Sequence, residues 1–328
     1  MLCVACTKEA EQLPVLPPEP LLAVPPGFPE PVFPADNAFS PERWLLGKRL
    51  FFDRVMSRDS SLSCASCHLP EHAFSDTTAF SAGVGGAMGV RNAPSLANVA
   101  YHPYFTREGG VPTLEMQILV PIQEHNEFDF NILLIAERLK QDSVYRKMSL
   151  DAYGREPDHF VITRSIACFE RSLLSGLSPY DEYVFQNNKN TLTAAEKRGM
   201  NLFFSEKTNC GKCHEGFNFT NYSFENNGLY EDYSDPGRFR LTGKEADRAL
   251  FKVPSLRNVA MTAPYMHDGS LAMLEEVLEH YNAGGKQHPH KSELVKPLGL
   301  SAQERADLAA FLRSLTDMRF INNEKFRP

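Results

Sequence analysis

The sequence has one tryptophan, no excess of basic charge and no apolar run approaching the roughly 18 residues of a membrane span. A net charge of −7 argues against nucleic acid as a partner, because gripping phosphates takes a basic surface. Apolar content of 42% and charged content of 23% are those of an ordinary globular protein, and 328 residues suffice for two domains with a core each. The lone Trp44 reads as a core residue. Cysteine is sparse as well, and its seven copies are unevenly placed.

Four of the seven form Cys64-Ala65-Ser66-Cys67-His68 and Cys210-Gly211-Lys212-Cys213-His214. Cys-x-x-Cys-His is the attachment signature of c-type haem: two thiols add to the vinyl groups and the adjacent imidazole binds the iron. Zinc would need a second ligand pair at matching spacing, which neither motif has. A redox dithiol would not explain why a His follows both pairs. Two covalently bound c-type haems are therefore expected, on Cys64, Cys67, His68 and on Cys210, Cys213, His214. Cys168 sits in a helix-like apolar stretch and reads as a buried thiol.

Cys3 and Cys6 belong to Met1-Leu2-Cys3-Val4-Ala5-Cys6, which resembles the end of a bacterial lipoprotein signal without its basic start and apolar core. Nine prolines follow between Pro14 and Pro34. That density opposes helix and sheet and suggests residues 1–36 are an extended tether, with Cys6 as lipid anchor; a disordered tail fits the same residues. Covalent haem is installed outside the bacterial cytoplasm, so a periplasmic, lipid-anchored location is expected.

The two motifs head two copies of a longer pattern. Gly47-Lys48-Arg49-Leu50-Phe51-Phe52 precedes the first, and Gly199-Met200-Asn201-Leu202-Phe203-Phe204 the second. Downstream, Ala93-Pro94-Ser95-Leu96-Ala97-Asn98-Val99-Ala100 matches Val253-Pro254-Ser255-Leu256-Arg257-Asn258-Val259-Ala260, and the register then holds through Gly109/Gly269 and Leu114-Glu115/Leu274-Glu275. The expected organisation is a haem domain over 37–190, including a helical connector from about Ile132 to Gln186, and a second haem domain over 191–328. Helical periodicity with Gly-, Asn- and Pro-rich loops predicts a mostly α architecture with few or no strands.

Where the copies differ, they suggest different chemistry. Leu271, Leu274, Leu278 and Tyr281 share a helical stripe that should turn Tyr281 inward, as an iron ligand or as a core tyrosine; Met261, Met266 and Met273 are the other ligand candidates. Its counterpart in the first copy is Pro121, which cannot bind iron and should end its helix. One haem is then closed on both faces and the other open on one, as a small oxidant requires. Gln117 and Glu127 flank Pro121. A carboxylate there could carry a proton between the oxygens of a peroxide, and an amide could orient it.

These residues resemble the bacterial di-haem cytochrome c peroxidase/MauG family from about Phe39 to Thr316. The shared motifs are the two haem sites, Arg91-Asn92-Ala93-Pro94, the Gln117–Pro121–Glu127 set and Thr262-Ala263-Pro264-Tyr265-Met266-His267-Asp268-Gly269. The resemblance implies two cytochrome c-like, mainly α domains with one covalent haem each. It implies His68 at the peroxide-reacting haem, His214 at the electron-transfer haem, Glu127 as acid–base group with Gln117 beside it, and one calcium ion on the Asn92 side chain and the carbonyls of Thr262 and Pro264. Hydrogen peroxide and a small electron-donor cytochrome or redox protein are the implied partners. Three departures stand out. Tyr281 replaces the methionine usual in the peroxidases and matches MauG-like members. The loop Phe80–Gly89 has no blocking His, and His72 reads as local packing. Arg107-Glu108-Gly109-Gly110 stands where the family commonly has Trp-Asp-Gly-Arg, leaving Tyr104 or Phe105 as substitute relays. Three functions fit: a di-haem peroxidase, MauG-like oxidation of protein side chains, or a di-haem electron carrier.

Overall fold

The structure, a computed structural model, describes residues 20–328; Cys3, Cys6 and the lipoprotein-like start lie outside the described residues. The thirteen α-helices described are α1 (Pro41–Phe52), α2 (Leu114–Gln117), α3 (Leu119–Gln123), α4 (Ile132–Lys140), α5 (Ser143–Tyr153), α6 (His159–Arg171), α7 (Pro179–Phe185), α8 (Ala194–Phe203), α9 (Cys210–Cys213), α10 (Phe239–Thr242), α11 (Leu274–Ala283), α12 (Ala302–Arg313) and α13 (Met318–Ile321). Among the described residues extended pairing is confined to β1 (Phe224–Glu225) against β2 (Phe251–Lys252), antiparallel, and a few single bridges. Among the described residues no helix is long and apolar enough to cross a membrane.

The repeat in the sequence is a repeat of packing. α1 starts at Ser40, whose hydroxyl accepts from the Arg43 N–H, with Pro41 at the first helical position. α8 starts at a Thr193/Glu196 capping box. Each then crosses a later helix at a glycine. A Cβ on Gly47 would lie 1.8 Å from the Ser165 carbonyl oxygen of α6, and one on Gly199 would lie 1.9 Å from the Asp307 carbonyl oxygen of α12. Only the missing side chain lets the backbones approach. The cores repeat in the same way: Phe51 and Phe169 meet in the first, Phe203 and Phe311 in the second. Single bridges Phe105–Val111 and Tyr265–Leu271 also recur at matching positions.

Three features refine the expected domains. α6, inside the expected helical connector, is the crossing partner of α1, as α12 is of α8. The part of the proline-rich segment that is described is not a free tether. It is extended, but it lies against the body: Phe28 packs on Tyr101, Phe185 and Phe217, and Asn37 is fully buried, donating to Glu115 at 2.9 Å. Proline removed the hydrogen bonds of regular structure but not the apolar surface that drives docking. Finally, the chain beyond Asp317 leaves the second core. α13 and the turn after it place Phe320, Ile321 and Phe326 in the first core, against Phe74 and Phe169.

The halves are stitched by two asparagines from the matched repeat. Asn98 and Asn258 both adopt left-handed backbone (φ 61° and 56°), which asparagine tolerates well. The Asn98 amide accepts from the Ser175 N–H at 2.8 Å and donates to the Ser175 carbonyl at 2.8 Å. Asn258 accepts from the Asp317 N–H at 2.8 Å and donates to the Ser175 hydroxyl at 2.9 Å. All of these groups are buried, so each bond also removes the cost of an unsatisfied polar atom. Trp44 is likewise a core residue, its indole N–H donating to the Ser172 hydroxyl at 2.7 Å, and Cys168 is fully buried.

Candidate active site

Both Cys-x-x-Cys-His motifs wind into one turn of helix, so that the His N–H donates to the carbonyl of the first Cys, at 3.0 Å for His68 and 2.9 Å for His214. The chain then folds back in left-handed conformation at Ala73 and Phe74 in one copy and at Phe219 in the other. This aims a carbonyl at each imidazole: Phe74 O lies 2.9 Å from His68 Nδ1 and Phe219 O lies 3.1 Å from His214 Nδ1. A carbonyl can only accept, so Nδ1 carries the proton and Nε2 is left as the basic nitrogen able to bind a metal. Burial lowers the pKa of both rings and keeps them neutral.

The four thiols are free. Burial raises the pKa of each, that of Cys213 to about 11. A redox dithiol needs the opposite shift, so the dithiol alternative fails on this chemistry as well as on the His that follows each pair. A single cavity of about 760 Å³ runs from Cys64, Cys67 and His68 to Cys210, Cys213 and His214. Most of its wall is apolar, with leucine, isoleucine and valine side chains contributed by both halves, as a planar macrocycle requires. The residues present therefore fit two covalently attached haems.

At the His68 end the cavity is lined by Gln117, Pro121 and Glu127. Contrary to expectation, Pro121 does not end its helix. It has no N–H to give the Gln117 carbonyl, and the helix breaks upstream, at Ile118, into α2 and α3, then continues through Pro121 to Gln123. The Gln117 side-chain oxygen is buried without a partner, which is costly unless a ligand supplies one. Burial, with a smaller contribution from Glu124, pushes Glu127 up to about 7, where it can both take and give a proton at neutral pH. Its backbone is fixed by the histidine-free loop: the Val84 N–H donates to the Glu127 carbonyl at 2.9 Å, and a Cβ on Gly83 would lie 2.2 Å from the Asn126 carbonyl oxygen. His72 is absent from the cavity wall.

At the His214 end α11 is unbroken, and Leu274, Leu278 and Tyr281 all face the cavity. Burial raises the Tyr281 hydroxyl to about 12, and it accepts from the Asn227 amide at 3.4 Å. Of the three methionine alternatives only Met266 lines the cavity; its sulfur accepts from the same Asn227 amide at 3.3 Å. Met273 is exposed, and Met261 packs against the first core.

The calcium expectation fares differently. Asn92, Thr262 and Pro264 do line the cavity, but a cation already occupies the asparagine. Arg107 Nη2 donates to the Asn92 carbonyl at 2.7 Å and reaches its side-chain oxygen at 3.3 Å, while the Asn92 amide donates to the Thr78 carbonyl at 3.1 Å. Among the described residues no group of three His, Cys, Asp or Glu could hold a metal ion. The Asn92 oxygen expected to hold calcium is thus shared with a guanidinium, which sets a positive charge where a divalent ion would sit.

Sequence reasoning missed several residues in the wall. His102 has an unpartnered, buried Nε2 and a pKa pushed to about 3 by burial and by Lys252. Glu170, buried beside the first motif, is raised to about 8 by desolvation. Asn227 arrives from an irregular loop with no pattern to mark it. Only Arg107 had a signal, its departure from the Trp register. The substitute relay residues separate: Phe105 lines the cavity, and Tyr104 stacks on Phe224 with ring centroids 5.3 Å apart.

Residues 41–190 match the family described as di-haem cytochrome c peroxidase. The methylamine utilization protein MauG of Methylorubrum extorquens is 38% identical over 285 residues, covering 86% of this chain and 80% of that protein. This chain belongs to the di-haem cytochrome c peroxidase/MauG family. The cytochrome-c peroxidase IdrP1 of a Pseudomonas species is 34% identical, with 96% of this chain and 90% of that protein covered. A crystal structure of a MauG-like protein associated with microbial copper homeostasis superposes with a TM-score of 0.87 at 37% identity, covering 92% of this chain and 97% of that one. The fold is thus mainly helical with two cytochrome c-like domains, and the protein is a haem enzyme of the cytochrome c peroxidase family. Membership implies two c-type haems.

Proposed function

We propose that this protein reduces hydrogen peroxide at the haem bound through Cys64, Cys67 and His68, drawing electrons from a small cytochrome or similar donor through the haem bound through Cys210, Cys213 and His214. The observation that carries this reading is the pairing of Glu127, poised near neutrality, with the unpartnered Gln117 oxygen opposite a proline that cannot bind iron. When bound, the haems supply the iron that accepts and delivers the two electrons. The Gln117 amide holds the peroxide. The Glu127 carboxylate takes the proton from the near oxygen and returns it to the far one, which leaves as water. The net change is H₂O₂ plus two protons and two electrons giving two waters. Tyr281 would hold the iron of the other haem, which would then suit electron transfer. A periplasmic location, with Cys6 as lipid anchor, accompanies this reading.

A second reading, oxidation of partner-protein side chains in the manner of MauG, is favoured by one feature: Tyr281 lies at the cavity in place of methionine. Peroxide added to the ferric and the half-reduced holoprotein separates the two. Peroxide consumption coupled to oxidation of reduced cytochrome c supports the peroxidase. Reaction of the ferric form with no turnover of any reduced cytochrome points to the MauG-like activity. A holoprotein inert to peroxide in both states would remove both readings and leave the electron carrier.

A further inference from the structure

Arg107 poses a problem of charge. It sits in the wall of the shared cavity with Asn92, and its Nε is buried without a partner. The charged groups around it are Arg91, Lys252, Glu108, Asp235 and Asp268. All three carboxylates are engaged elsewhere. Arg91 holds Asp235 with two bonds, of 2.7 and 2.9 Å, and pairs with Glu108; Tyr230 donates to Asp268 at 2.6 Å. Lys252, a second half-buried cation, donates to the Tyr104 carbonyl at 2.9 Å. Burial and Arg91 lower Arg107 to about 10, still a cation at neutral pH. Two half-buried cations that bond directly only to neutral carbonyls, beside an apolar cavity, favour an occupant that brings anions. Haem does: each macrocycle carries two carboxylates.

We propose that Arg107 is the fixed cation between the two haem sites, binding haem carboxylates with the donors that Asn92 leaves free and taking the place of a metal ion. The proposal rests on the two-haem assignment. A guanidinium suits the position because it presents five donors in a plane and keeps its charge when desolvated. It also sets a positive charge against the Asn92 oxygen expected to hold calcium, which disfavours a divalent ion there.

The test uses the full-length holoprotein. After desalting, elemental analysis should find no stoichiometric calcium, and a chelator should leave both haem spectra unchanged. About one calcium per chain, or a spectral change on chelation, would overturn the proposal without any variant. Arg107→Gln should lower the reduction potential of at least one haem, because a lost positive charge favours the ferric state, and Arg107→Lys should largely restore it. Unchanged potentials in Arg107→Gln would equally overturn the proposal. The haem mass increment on the same sample keeps the failures apart: fewer than two haems contradicts the two-haem assignment, whereas two haems plus calcium contradicts the role of Arg107.

Discussion

The two ends of the cavity share a floor and differ in what faces it. His68 and His214 are held by the same device, a carbonyl from a left-handed turn on Nδ1, and each is carried on a helix pair crossing at a glycine. Opposite them the register offers Pro121 on a broken helix at one end and Tyr281 on a continuous one at the other. The Gln117 amide and the Glu127 carboxylate accompany the proline, whereas Val277 and Gln287 stand at the matching positions of the other copy. The two copies share the residues that would grip a haem and differ in those that would face it. The proposed division of labour therefore rests on a few positions after each motif.

Four substitutions would break or sharpen that comparison. Glu127→Gln should lower peroxide turnover by about 10²–10⁴-fold while both haems stay attached. Equal rates in the variant and the parent would strip Glu127 of its role. Tyr281→Phe should change the absorption spectrum of one haem alone; no change would pass the ligand role to Met266. Gly47→Ala and Gly199→Ala should each destabilise by about 1–3 kcal/mol in denaturant titrations, because the added methyl meets backbone. A large loss in one and none in the other would show that the two crossings are not equivalent.

The smallest effects are in pH. Turnover should rise through about pH 7 as Glu127 ionises, and that limb should vanish in Glu127→Gln. Stability carries the same group with the opposite sign. Its folded pKa of about 7 lies above the ordinary 4.5, so ionising it costs nothing below pH 4.5 and the full penalty above pH 7. Glu127→Gln should thus raise the melting temperature above pH 7 and leave it unchanged near pH 4.5. A variant that melts lower than the parent at pH 8 would mean that the carboxylate has a partner in the holoprotein.

Most of this asymmetry is legible in the sequence because it rides on covalent motifs and on helical register, both strictly local. Cys64, Cys67, His68 and their counterparts mark themselves, and Pro121 against Tyr281 follows from counting forward. What the sequence hides is long-range. Phe320 and Phe326 return to the first core only because the seam around Ser175 and Asp317 turns the chain there. Phe28 docks because an apolar ring gains by burial in any backbone conformation. Arg107 was visible as a departure from pattern, but its contact with Asn92 joins residues 15 apart through irregular loops.

The central claim is that the two irons are unequal. Electron paramagnetic resonance of the ferric holoprotein tests it most directly. One high-spin signal from an iron with an open face and one low-spin signal from an iron bound on both faces is the predicted spectrum. Two low-spin signals and no high-spin component would contradict it.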